Sequence, residues 1–284
     1  MNCYKRSVFV SLLLLILAPS VSAGYRVSYE ITVTRENGEP NVHFETLTFD
    51  DTRFRIDFLD AEGNKTEQSP YIMTADNGGT WYIGDKPKDK FYCSHMKTNE
   101  FFENIGEQAT GAMKFFNVNA EKPVITKVFE QPVDDVQGFK TTHLQLETHA
   151  SAYAWVLFLK FEYKVKIVDD IFYTTELEVH PIRKKWLEAL TQSGNDLIDT
   201  MYSDYTSKVP GPMVQKETVI EITDLRKKTV KVEKRKAVVT KIEEISAKET
   251  DAAFITPECI PMDDDEVQEK AKALFSANKL MLGL

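Results

Sequence analysis

Cysteine is scarce in this sequence: three residues among 284, Cys3, Cys93 and Cys259, with no C-x-x-C pair. That leaves a thiol–disulfide redox role with little support. No glycine/serine or proline linker divides the chain, so one domain is favoured over two. Internal repeats of roughly 20 to 50 residues, heptad arrays and low-complexity tracts are missing, which excludes solenoids and coiled coils. Catalytic phrases are missing too, with no G-x-S-x-G elbow and no glycine-rich phosphate loop. Cys93-Ser94-His95 sets a thiol beside an imidazole, but a disulfide or packing at a strand end explains it as well. His43, His95, His143, His149 and His180 do not stand at a metal-ligand spacing such as H-x-x-x-H with an acidic partner. Asp263-Asp264-Asp265-Glu266 lacks the alternating oxygens and glycine of a calcium loop and reads as the start of a helix. We therefore expect neither an enzyme nor a bound metal or cofactor.

What is present begins at the N-terminus. Lys5-Arg6, the apolar run Val8 to Ala18, and Pro19-Ser20-Val21-Ser22-Ala23 are the three parts of a secretory signal peptide, with cleavage expected after Ala23. The run is shorter than the roughly 18 to 20 residues that cross a bilayer, and Pro19 ends it. Cys3 precedes it and so cannot carry a lipoprotein's lipid. Losing Lys5 and Arg6 takes the formal charge from −9 to −11, which disfavours nucleic acid and anionic membrane surfaces as partners and leaves binding to shape and apolar contact, or to local basic patches. Periplasm or medium is the expected location. Cys93 and Cys259 would then meet an oxidising compartment, where a bridge closing so long a loop contributes up to ~5 kcal/mol; bridge and free thiols both stay open.

Beyond Gly24 the dominant period is two. Tyr25, Val27, Tyr29, Ile31 and Val33 alternate with polar residues, and Glu36-Asn37-Gly38 is a turn. Further strands are predicted near Val42 to Phe49, at Phe54, Ile56 and Phe58, at Tyr71 to Thr74 and, after Asp76-Asn77-Gly78-Gly79, at Trp81-Tyr82-Ile83. Spacing by three and four predicts a helix between Asn99 and Phe116. Alternation resumes at Val124 to Phe129, at Thr141 to Leu146 and as one strand from Tyr153 through Ile167, with Asp169-Asp170 turning it into Ile171 to Val179. A second helix starts at His180-Pro181 and runs to Tyr205, with Ser193-Gly194-Asn195 as its break. Strands return at Val214 to Thr223, Thr229 to Lys234 and Ala237 to Ile245. The domains expected are 1–23 as signal peptide, 24–262 as a mainly β (α+β) domain, and 263–284 as a helical tail. Ten or eleven antiparallel strands twist and cannot stay flat, so the sheet should curl, with helices laid over its hollow.

Several phrases then resemble a known family. Pro70 to Tyr92, with its Asp76-Asn77-Gly78 hairpin, Trp81-Tyr82-Ile83 strand and Pro87 turn, is similar to a segment of LolA-like periplasmic proteins. Asp251 to Asp264, with Phe254, Pro257 and Asp263, resembles their closing F-x-x-P-x-G-x-x-x-x-D phrase. Gly138 to Leu144 and Thr218 to Leu225 resemble an envelope branch of that superfamily. Pro261 and Met262 depart from it where a glycine-rich turn is expected, as does the basic stretch Arg226 to Lys236. The resemblance implies an open half-barrel with helices as its lid, whose apolar concave surface holds acyl chains of lipids or lipoproteins. Arg53 and Arg55 both lie in the strand where such carriers place an arginine against the acyl chain.

On this reading Tyr29, Ile31, Phe54, Ile56, Phe58, Trp81, Trp155, Leu157, Leu159 and Phe161 line the ligand cavity; the alternative for the same residues is an ordinary packed core. The basic run is either a solvated edge hairpin, since lysines guard sheet edges, or a site for lipid head groups. The expected function is an exported, non-catalytic protein that holds an apolar ligand and touches membranes transiently. The alternative is an envelope structural or protein-interaction module with a filled core.

Overall fold

The computed structural model describes residues 22–36, 38–66, 69–86, 90–100, 103, 107, 118–136, 138–156, 159–177, 182, 185, 188, 189 and 191–261. The segment expected to be a signal peptide, up to residue 21, the tail from 262, most of the helix expected between Asn99 and Phe116 and most of the first part of the helix expected from His180 lie outside the described residues.

Thirteen strands form one sheet: β1 (Ser22–Arg35), β2 (Asn41–Phe49), β3 (Phe54–Phe58), β4 (Tyr71–Thr74), β5 (Thr80–Asp85), β6 (Tyr92–Lys97), β7 (Val118–Ala120), β8 (Val124–Val136), β9 (Phe139–Val156), β10 (Leu159–Tyr173), β11 (Met213–Asp224), β12 (Thr229–Ser246) and β13 (Ile260–Pro261). Two helices can be followed from end to end among the described residues, α1 (Asp196–Lys208) and α2 (Ala247–Ala253). The order across the sheet is β13-β6-β5-β4-β3-β2-β1-β12-β11-β10-β9-β7, with β8 also on β9. Two antiparallel meanders are thus joined at the middle, where β1 pairs with β12 from Ser22↔Ser246 to Arg35↔Glu233. The sheet is mostly antiparallel, curved and open; it does not close into a barrel. So many strands accumulate enough twist to curl.

Three sequence expectations change. The strand drawn from Tyr153 through Ile167 is two strands: β9 ends at Val156, β10 starts at Leu159, and Leu159 pairs back on Val156. Phe161 stands opposite Ala154 and Lys160 opposite Trp155, so the alternation does not run through the reversal. No Asn-Gly or Asp-Gly marks that turn; long arms in register on both sides set it instead. Asp169-Asp170, expected to be a turn, sits inside β10, each residue paired across to β9 and β11. The strands expected at Thr229 to Lys234 and Ala237 to Ile245 are one, β12. The expected break at Ser193-Gly194-Asn195 is where the chain restarts as α1: Asn195 Oδ1 accepts from the amides of Leu197 and Ile198, 3.1 Å each, as an N-cap asparagine does.

The β1–β5 half of the sheet is covered on both faces. On the inner face, Val27, Tyr29, Ile31, Leu47, Phe54, Ile56, Phe58, Ile72, Trp81 and Ile83 pack with Ala237 and Val239, and Ile182 closes over them. On the outer face of β3–β5, Tyr71, Met73 and Phe91 pack with Phe254 and Cys259 of the segment after α2. α2 opens with a capping box, Ser246 and Glu249 satisfying each other's backbone amides. Cys93 and Cys259 are joined in a disulfide with their Cα atoms 5.7 Å apart, and β13 then pairs in parallel with β6.

Candidate ligand-binding site

The register of β10 against β11 builds the floor of the site. Asp169 stands opposite Thr218 and Ile171 opposite Lys216, so three polar side chains meet in the middle of inward rows that otherwise read Tyr163, Val165, Ile167, Ile171 and Val214, Ile220, Ile222. Lys216 and Asp169 are both buried. Lys216 Nζ lies 3.1 Å from Asp169 Oδ1 and donates to Tyr205 Oη at 2.8 Å, while Thr218 Oγ1 donates to Asp169 Oδ1 at 2.5 Å. Burial alone pushes the Lys216 ammonium down, but Tyr205 and the Asp169 carboxylate more than offset it and hold it above the ordinary lysine value. A buried charge is tolerated because it is paired and hydrogen-bonded.

α1 forms the roof. Its N-terminus is fixed by the Asn195 cap and by Asp199, whose carboxylate accepts from the backbone amide and hydroxyl of Ser193. Acidic residues in its first turn and Lys208 in its last suit the helix dipole. Met201, Tyr202 and Tyr205 face down. Burial pushes the Tyr202 phenol up. Between roof and floor lies a cavity of about 150 Å³, walled by Ile125, Thr148, Ile167, Ile220 and Met201, with Arg235 also on its lining. Arg235 is ion-paired to Glu233. At one end the cavity meets a cluster of Leu144, Leu146, Ile171, Tyr173 and Met213.

The structure gathers six of the sequence-predicted ligand residues, Tyr29, Ile31, Phe54, Ile56, Phe58 and Trp81, but in the packed inner core of β1–β5 and not around this cavity. Leu159 is exposed, and Phe161 is half-buried beneath the Arg226 guanidinium, 4.8 Å above its ring. Leu157 and the side chain of Trp155 lie outside the described residues. Arg55 points to the outer face, where it binds Asp57 and the carbonyls of Ala253 and Ile255; Arg53 pairs with Asp50 and Asp251. Sequence reasoning missed Lys216 and Asp169. The available signal was one charge of each sign in the middle of two otherwise apolar period-two rows. Among the described residues no group of three His, Cys, Asp or Glu side chains could hold a metal.

Replacing Lys216 by alanine should strand the Asp169 carboxylate and cost about 2 kcal/mol, with Thr218 still bonded to it. Pairing that change with Asp169→Leu should recover most of the loss. Urea midpoints of the two variants measure this, and an equal loss in both would mean that the ion pair is not what the site depends on.

No family model matches the chain, and no curated protein matches it. Among solved structures it is similar to PNGF-II, at 9% identity and TM-score 0.35, over 88% of this chain; this chain spans 33% of that protein. It is also similar to a LolA superfamily protein from Nitrosomonas europaea, at 7% identity and TM-score 0.28, over 83% of this chain and 91% of that one. The open, curved antiparallel sheet expected from the LolA resemblance is the fold of this chain, and its own strand order carries that statement.

Proposed function

We propose that the protein is an exported, non-catalytic carrier that takes the acyl chain of a lipid or lipoprotein into the space between α1 and the inner face of β8–β12. The observation that carries this reading is the apolar-walled cavity under a helix none of whose residues is fully buried. About 150 Å³ is the size of an engineered apolar cavity that stays dry and takes benzene. It therefore receives the end of a chain, and a longer chain enters as α1 lifts. Each methylene buried contributes ~0.8 kcal/mol, so a few carbons give useful affinity. Helices with few buried contacts open at low free-energy cost. The Cys93–Cys259 bridge supports an oxidising compartment, in keeping with the signal-peptide pattern.

One observation favours a second reading, an envelope interaction module: the inner face of β1–β5 is filled by its own side chains. Two measurements separate the readings. Organic extracts of protein purified from its own envelope should contain lipid by mass spectrometry. Met201→Trp, which fills the cavity, should weaken binding of a fluorescent fatty acid about tenfold, the loss of one to two methylenes' worth of burial, without lowering the melting temperature. An empty extract together with unchanged probe binding in Met201→Trp would leave the interaction module standing.

A further inference from the structure

Beyond the cavity, the two long hairpins β9–β10 and β11–β12 run out to neighbouring tips, and their surface differs from the rest of the molecule. Leu159, Tyr163, Ile222, Leu225 and Val230 are all exposed there. Their neighbourhood is fixed by register: Tyr163 stands opposite Asp224, Val165 opposite Ile222, and Thr223 opposite Val230. The amide of Leu225 donates to the carbonyl of Glu162 at 3.0 Å, tying one tip to the other. Val230, opposite Thr223, lies on the reverse face; single exposed apolar residues need no explanation, whereas Leu159, Tyr163 and Ile222 on one face with Leu225 at the turn mark a contact surface.

The same tips hold an unusual concentration of positive charge. Seven of the eleven residues from Arg226 to Lys236 are basic and one is acidic, in a chain of net charge −9. Nearer the sheet centre these cations are neutralised, Lys236 by Glu217 and Arg235 by Glu233. At the tip, among the described residues, Lys164, Lys227, Lys228 and Lys231 are exposed and have no carboxylate within ion-pair distance. The turn that presents them is built to hold its shape: the buried Asp224 carboxylate accepts from the amides of Arg226 and Lys227, 3.0 Å each. Lys228 takes a φ of 55°, a conformation that favours glycine. A lysine kept there places one more cation at the apex.

We infer that this double tip docks on an anionic membrane surface, its lysines against lipid phosphates and its exposed apolar side chains entering among the acyl chains. Cations beside exposed aliphatic and aromatic groups match a bilayer interface, which is anionic outside and apolar within. A polyanion such as nucleic acid would satisfy the lysines but leave Leu159, Ile222 and Leu225 in water. The inward row that ends at Tyr163 and Ile222 continues through Val165 to Ile167 and Ile220 of the cavity wall. Docking would therefore bring the cavity's apolar row to the bilayer, although the inference stands on the tips and not on the cavity.

The experiment is cosedimentation of the full chain with phosphatidylglycerol-containing vesicles and with phosphatidylcholine vesicles. The apolar run Val8 to Ala18 is common to all variants, so differences between them report the tips. The wild type should favour the anionic vesicles and release from them as salt rises. Lys227→Gln/Lys228→Gln/Lys231→Gln should lower partitioning by about two orders of magnitude, and Leu225→Asp by about tenfold. Lys228→Gly relieves the turn and should bind only several-fold more weakly, with an unchanged or higher melting temperature, which separates charge from folding. Equal partitioning of the triple variant and wild type, or wild-type binding indifferent to lipid charge, would overturn the proposal. A Leu225→Asp variant that binds like wild type would overturn the insertion.

Discussion

Asp57→Ala is expected to destabilise the protein by about 3–5 kcal/mol, the cost of leaving a buried ion without its partner. β3 is buried on both faces, so its outward residues are as inaccessible as Phe54 and Ile56. Arg55 is 4% exposed and Asp57 0%. The Arg55 guanidinium donates from Nε to Asp57 Oδ1 at 2.8 Å, and Nη2 lies 2.8 Å from the same oxygen. Its Nη1 donates to the carbonyls of Ala253 and Ile255 at 2.9 and 3.1 Å, and the group lies 4.3 Å above the Tyr71 ring. The other Asp57 oxygen takes Lys65 Nζ at 2.6 Å. Burial pushes the Lys65 ammonium down, and Asp57 counters only part of it. Removing the carboxylate leaves the buried Arg55 guanidinium without its ion-pair partner and facing the solvent-accessible Lys65 ammonium. Asp57→Asn keeps one acceptor and should lose about half as much. Urea unfolding with an unchanged slope is the measurement, since the slope reports the surface exposed. A loss under about 1 kcal/mol, the range of exposed pairs, would show that Arg55 reaches water and that the segment after α2 is not seated on β3.

Reducing the Cys93–Cys259 bridge, or replacing both cysteines by alanine, is expected to cost about 2–5 kcal/mol. The two residues are 166 apart in sequence, so the bridge constrains most of the unfolded chain. In the folded state it anchors the segment whose carbonyls Arg55 holds and whose Ile260 amide donates to the Phe91 carbonyl at 2.9 Å. Hydrogen exchange should therefore speed up at Ile260 in the reduced protein, while β1 and β12 keep their protection. Because the bridge and the Arg55–Asp57 pair seat the same stretch of chain, their losses should not add, and the triple change should cost less than the two together. A denaturation midpoint unmoved by reductant would refute the bridge's structural role.

The strands that carried one clean alternation and an adjoining turn signal were legible from residues alone. Val27, Tyr29 and Ile31 with Glu36 and Gly38, or Tyr71 to Thr74 with Asp76 to Gly79, are of this kind. The same holds for the Asn195 break before α1, because an asparagine after a glycine is a local signal for a helix start. The reversal after Val156 was not legible, since the composition that marks tight turns is missing there. Nor was β13, two residues long, whose pairing exists because a disulfide brings it to β6.

For the candidate site the division is sharper. Period-two patterning reports that Ile31, Phe54 or Trp81 faces inward, but inward residues either fill a core or line a hollow according to what lies across from them. Ile182 arrives over β1–β5 and packs into their core; α1 arrives over β8–β12 above a cavity of about 150 Å³. The sequence by itself determined the antiparallel strands and their inward faces, because these depend on neighbours two to four residues away; the basic run, expected at a sheet edge, instead lies mostly on β12 between β1 and β11. Only the tertiary structure decided that α1 covers a cavity beside β8–β12, that Lys216 meets Asp169, and that Arg55 is covered. Those outcomes depend on register and on segments tens to hundreds of residues apart, which no local period encodes.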